Sequence, residues 1–188
     1  MTTHLPALRS RDAAAASFVA VGCLLLAARA WMIPLAGDAR PLAGTLLFAA
    51  LLAGALVVPV ARDPSVVAGP PALGIGLVAL VGAAIVAGRP VPFLVTAWTL
   101  PLSLVAAVAE EALFRRVAYA ELARWGPVVA VIGSALLFAA VHLPLYGVAA
   151  LPVDLGAGLV FGWQRWATGS WTAPAATHAA ANLVAVLR

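Results

Sequence analysis

The feature that most limits what this chain can become is its succession of long apolar runs, interrupted only by short punctuation. They cover roughly residues 13–34, 41–61, 66–88, 92–124, 127–147, 149–167 and 172–187. The breaks are built from turn formers: Gly37-Asp38 and Pro41, Arg62-Asp63-Pro64, Arg89-Pro90, Gly126-Pro127 and Thr168-Gly169-Ser170. A helical run of about 20 apolar residues matches the hydrocarbon thickness of a bilayer. No run alternates apolar with polar residues, and a spanning sheet would have to close into a barrel, so strands are not expected. Composition agrees: 64% of the chain is apolar and 10% charged, against roughly 45–50% and about 25% in soluble domains. The expected fold is all-α, a polytopic integral membrane helical bundle of about seven transmembrane helices. No room is left for a separate soluble domain.

The net charge of +4 comes from eleven arginines and no lysine. They are dispersed rather than striped, which argues against a nucleic-acid interface and leaves the lipid bilayer as the expected partner surface. Residues 1–12 form a polar N-terminal segment carrying Arg9 and Arg11. The run from Ala13 is longer than a signal-peptide core and no clear cleavage site follows, so it reads as a retained span. Residues 13–91 are helices without diagnostic motifs, and the chemistry concentrates in 92–188. With the N-terminus inside, Arg9, Arg11, Arg62, Arg115, Arg116, Arg124 and Arg165 fall on the inner side, against Arg29, Arg40, Arg89 and Arg188 toward the outer one. That bias predicts a cytoplasmic N-terminus. Ala-rich, Lys-free usage suggests a GC-rich bacterial genome, hence an inner (plasma) membrane. The single Cys23 rules out an intramolecular disulfide and a thiolate cluster for zinc.

Acid is concentrated in one place, Ala106 to Trp125, where Glu110 and Glu111 are adjacent inside an apolar run. Ionisable groups in hydrocarbon are costly, which points to function. Glu111 and Arg115 are four residues apart with the acid first, the favourable order for a helical pair. Glu110 is then left without a partner on its own face and is available as a general base. The competing reading is a structural ion pair that locks helices. The second constellation is Phe138-Ala139-Ala140-Val141-His142. Sixteen residues lead from Glu110 to the turn at Gly126 and sixteen more to His142. At about 1.5 Å per residue both side chains end some 24 Å from that turn, level with each other on antiparallel neighbours. The third is His178-Ala179-Ala180-Ala181-Asn182, whose ends share a helix face among close-packing alanines. Counted from the Ser170-Trp171 turn, His178 sits roughly 10 Å nearer the inner face than Glu110.

Lesser features read structurally. Gly158 and Gly162 make a small-xxx-small packing face, Asp154 reads as the N-terminal cap of the sixth helix, and Arg116 and Arg124 read as inner-face anchors.

Taken in order, EEALFR, FAAVH and HAAAN resemble the EExxxR, FxxxH and HxxxN patterns of the CPBP intramembrane proteases, which include the CAAX prenyl protease of Rce1 type and bacterial Abi-like proteins. GLVFGWQRWATGS also looks like that family's Gly-rich helix. The resemblance covers roughly residues 93–187. It implies a catalytic Glu110 that activates water with His142, an oxyanion held by His178 and Asn182, and Glu111, Arg115 and Phe138 supporting them. It implies a membrane-anchored protein or peptide as substrate. Glu110, His142 and His178 are also a conceivable zinc set, but no H-E-x-x-H is present, and a mechanism without metal or other cofactor is preferred. The chain is short and lacks the eukaryotic enzyme's extra helix, so trimming of C-terminal membrane or sorting segments is a better expectation than a prenylated substrate. A non-catalytic immunity or binding protein on the same scaffold is the alternative; a transporter would need internal repeats, and none is visible.

Overall fold

The computed structural model describes residues 5–60, 69–87 and 96–187. Helix α1 (Leu5–Leu35) turns through a 3-10 segment, Gly37–Ala39, into α2 (Arg40–Val57), and α3 (Gly69–Ala87) follows. Helix α4 (Thr99–Glu111) runs without a break into a π-helical stretch, Ala112–Ala118, then α5 (Tyr119–Leu122) and a 3-10 turn, Ala123–Trp125. Helices α6 (Pro127–Tyr146), α7 (Leu151–Thr168) and α8 (Thr172–Leu187) complete the bundle. Counting α4 through α5 as one rod, the described residues form seven rods and no strand.

Among the described residues, three stretches are long and apolar enough to cross a membrane: Ala13–Leu35, Gly37–Val57 and Pro127–Tyr146. α6, which carries Phe138 and His142, is among these three, whereas the fourth rod and α8, which carry the other motif residues, are not. α1 begins at Leu5 with Pro6 in its first turn, where proline is tolerated, and its membrane-length stretch starts at Ala13, as expected. One element differs from expectation. The fourth rod was expected to be a single α-helix, and it widens to π geometry just after Glu111. The breaks at Arg62-Asp63-Pro64 and Arg89-Pro90, the side chains of Arg9 and Arg11, and Arg62, Arg89 and Arg188 lie outside the described residues, so the arginine count that sets orientation stays an expectation.

The turns do what their glycines allow. Gly126 (φ 104°) and Gly169 (φ 69°) adopt backbone conformations that side chains resist, and they end the fourth rod and α7. α6 and α7 pack through the Gly158 and Gly162 face, as expected. A Cβ on Gly158 would lie 2.9 Å from the Ala135 Cα, and one on Gly162 3.1 Å from the Val131 carbonyl oxygen. The Gln164 amide donates to the Ala72 carbonyl (3.2 Å) and to Thr177 Oγ1 (2.9 Å), tying α7 to α3 and α8. Arg116 is not simply an interfacial anchor. It donates to the carbonyls of Ala55, Leu56 and Val58, capping the last turn of α2 whose acceptors have no helical partner. Arg124 pairs with Glu121 (3.4 Å) and lies over Trp125 (4.3 Å) at the rod's exposed end.

Candidate active site

The motif residues converge at the centre of the bundle in two layers. The deeper layer is built on Glu111, which is fully buried. Arg115 sets Nε 3.2 Å from its Oε2 and donates Nη1 to Oε1 at 3.3 Å. His178, from α8, donates Nδ1–H to the same Oε1 at 3.0 Å. The remaining Arg115 nitrogen donates to the Gly158 carbonyl at 3.0 Å.

The second layer is Glu110 and His142, both buried. The His142 Nδ1 lies 2.7 Å from the Phe138 carbonyl oxygen. A carbonyl only accepts, so Nδ1 carries the proton and, in the neutral ring, Nε2 keeps its lone pair. That lone pair faces Glu110 Oε2 at 3.6 Å. The two side chains are therefore level, as counting from Gly126 predicts.

Phe138 is the wall between the layers. Its ring meets those of Phe114 (5.6 Å), Phe161 (5.9 Å), His178 (5.7 Å) and His142 (4.5 Å). The Arg115 guanidinium sits over it at 4.8 Å. Phe161 stacks on His178 at 4.9 Å, and Tyr146 stacks on His142 at 5.7 Å. Both imidazoles are thus held by aromatic faces as well as by hydrogen bonds.

The roughly 10 Å offset expected for His178 is absent, and Arg165 explains why. Its Nε donates to the Arg115 carbonyl at 3.1 Å, which puts Arg165, three residues before the end of α7, level with Arg115. Arg115 is ten residues before the end of its own rod. The fourth rod therefore protrudes past the α7–α8 turn by about 10 Å. The π stretch contributes, because widened turns leave carbonyls open to outside donors and occur often at functional sites.

Two other placements differ from expectation, those of Glu110 and Asp154. Glu110 is not alone: Arg29, from α1, sets Nη1 2.7 Å from its Oε1, with both side chains buried. Arg29 stands out in the sequence only as a charge inside an apolar span, and its partner is 81 residues away. The Asn182 Nδ2 donates to the Ser103 carbonyl at 3.2 Å, one turn of α8 beyond His178. Asp154 does not cap α7, since the cap position is Ala150 and Asp154 lies within the first helical turn. It is four residues before Gly158, on the α7 face that meets Arg115, within electrostatic reach of His142, Glu110 and His178. Its buried Oδ2 has no hydrogen-bond partner. A cleft of about 180 Å³ lined by Pro127, Val128, Val131, Ile132, Trp163 and Trp166 opens at the far end of α6, away from this chemistry.

Residues 92–184 match the Rce1-like family, described as type II CAAX prenyl endopeptidase Rce1-like. The chain carries an Rce1-like domain. Its span takes in the fourth rod through most of α8 and so holds every motif residue of the two layers. The Rce1-like match supports a membrane protease at the level of the family. No curated protein and no solved structure matches the chain. Among the described residues no three His, Cys, Asp or Glu side chains converge as a ligand set. Oε1 of Glu110 is occupied by a guanidinium, and His178 turns its Nδ1 to Glu111 rather than toward Glu110.

Proposed function

We propose that this chain is an intramembrane endopeptidase in which Glu110 and His142 activate water for attack on a peptide bond. The observation that carries the reading is the 3.6 Å gap between Glu110 Oε2 and His142 Nε2. With the proton of the neutral imidazole on Nδ1, both are acceptors. Two acceptors at that separation need a shared proton or a bridging water between them. A water straddling the pair gives a proton to Glu110 as its oxygen bonds to the substrate carbonyl carbon. The tetrahedral intermediate then collapses, the C–N bond breaks, and Glu110 returns the proton to the departing amine. No step needs a metal.

The developing oxyanion is assigned to His178 and Asn182. His178 Nδ1–H is held by Glu111 Oε1, which fixes the orientation of the ring. Asn182 would exchange the Ser103 carbonyl for the substrate oxygen. The substrate is a membrane-anchored protein or peptide, trimmed at a C-terminal membrane or sorting segment. The setting is the bacterial inner (plasma) membrane with the N-terminus cytoplasmic, as the arginine distribution suggests.

The test uses the full chain in proteoliposomes with two internally quenched probes: a farnesylated Cys-aliphatic-aliphatic-X peptide and an unprenylated peptide with an apolar C-terminal segment. Wild type is expected to cleave the unprenylated probe. E110Q and H142A are expected to lose about 10²–10⁴-fold in kcat, the range of a positioned acid or base. Folded variants that cleave as wild type does would remove the reading and favour a binding protein on the same scaffold.

A further inference from the structure

The helices before residue 92 lie outside the Rce1-like match, yet one of them delivers a side chain to Glu110. We propose that Arg29 is a positioning residue for Glu110, so that the working site is assembled from both halves of the chain; this rests on reading Glu110 as the hydrolytic base. Arg29 Nη1 lies 2.7 Å from Glu110 Oε1, and the two side chains are 7% and 4% exposed. Phe48, from α2, backs the guanidinium with its ring at 5.4 Å. An arginine within an apolar span is costly, and it is tolerated where it has a partner such as this carboxylate.

Arg115 does not serve Glu110 in its place, since its nitrogens go to Glu111 and to the Gly158 carbonyl. Each buried glutamate thus has its own cation. Holding Oε1 fixes the carboxylate plane and presents Oε2 to His142 at 3.6 Å. It also compensates the charge. A carboxylate alone in apolar surroundings is neutralised by a proton, and a protonated acid takes none from water. A tie that merely joined α1 to α4 would change stability and leave turnover per folded molecule untouched.

The experiment compares wild type, R29M, R29K and E110Q as full chains in proteoliposomes, with kcat and KM measured on the unprenylated apolar-tailed probe and the folded fraction measured in parallel. R29M is expected to lose about 10²-fold in kcat per folded molecule with KM nearly unchanged, and R29K to recover most of it. R29M with wild-type kcat while E110Q is inactive overturns the assignment and leaves the reading of Glu110 standing. An active E110Q overturns that reading itself. If R29M does not fold, R29Q, which keeps a hydrogen-bond donor without the charge, is read in its place: a lowered kcat per folded molecule at nearly unchanged KM supports the assignment, and wild-type kcat overturns it.

Discussion

Replacing Arg115 by methionine keeps most of the volume and removes one charge from the deepest part of the bundle. Arg115 and Glu111 are both fully buried. The guanidinium spans Glu111 at 3.2–3.3 Å and the Gly158 carbonyl at 3.0 Å, between the rings of Phe138 (4.8 Å) and Phe161 (5.1 Å). Methionine leaves Glu111 with His178 as its remaining partner and the Gly158 carbonyl without its donor. Breaking a buried pair from one side costs about 3–5 kcal/mol. The lost hydrogen bond comes from the same donor and is not added separately. R115M is therefore expected to lose about 4 kcal/mol, roughly a thousandfold in the ratio of folded to unfolded protein. E111Q/R115M removes both charges and is expected to return to within about 2 kcal/mol of wild type. Reversible unfolding in mixed micelles with a denaturing detergent, followed by circular dichroism, measures both. The reasoning is refuted by an R115M midpoint equal to wild type, or by a double variant no more stable than the single one.

Gly158→Val is expected to lose about 1–3 kcal/mol in the same assay, because its Cβ meets the Ala135 backbone at 2.9 Å. Gly156→Ala, with open space at its Cβ, is expected to lose nothing; equal losses for the two would undo the packing argument. Arg116→Met releases the α2 carbonyls and is expected to cost about 1–2 kcal/mol with faster amide exchange in the last turn of α2. Unchanged exchange there would show that the cap contributes nothing. Cleavage of the unprenylated probe is expected to survive exhaustive chelation. Loss restored by added zinc would return the metal mechanism.

Much of the site is legible along the chain because it obeys the constant rise of a helix. Glu110 and His142 are equidistant from Gly126, and the structure sets their side chains 3.6 Å apart. Glu111 and Arg115 obey the same rule within one helix turn, and their pair forms as the spacing predicts. The glycine face at 158 and 162 is equally local. Where the reading along the chain went astray, the deciding contact joins elements that do not follow one another. Asp154 is the exception, because its cause is local. A capping role is a reasonable local inference from its place after Pro152, but the 3-10 turn at Val148–Ala150 starts α7 earlier and puts the carboxylate inside the helix.

The sequence by itself determined the material and the depth: apolar runs that must be helices, turns that reverse them, and the level at which each polar group lies along its helix. Lateral neighbours and sliding between rods were decided only by tertiary packing. Arg29 reaches Glu110 because α1 packs beside the fourth rod, across 81 residues of chain. His178 reaches Glu111 because that rod protrudes beyond the α7–α8 turn, held there by Arg165 on the Arg115 carbonyl. Neither contact has a periodicity to announce it. In an apolar bundle the helix fixes height, and the few buried charges, each needing a counter-charge, select which faces meet.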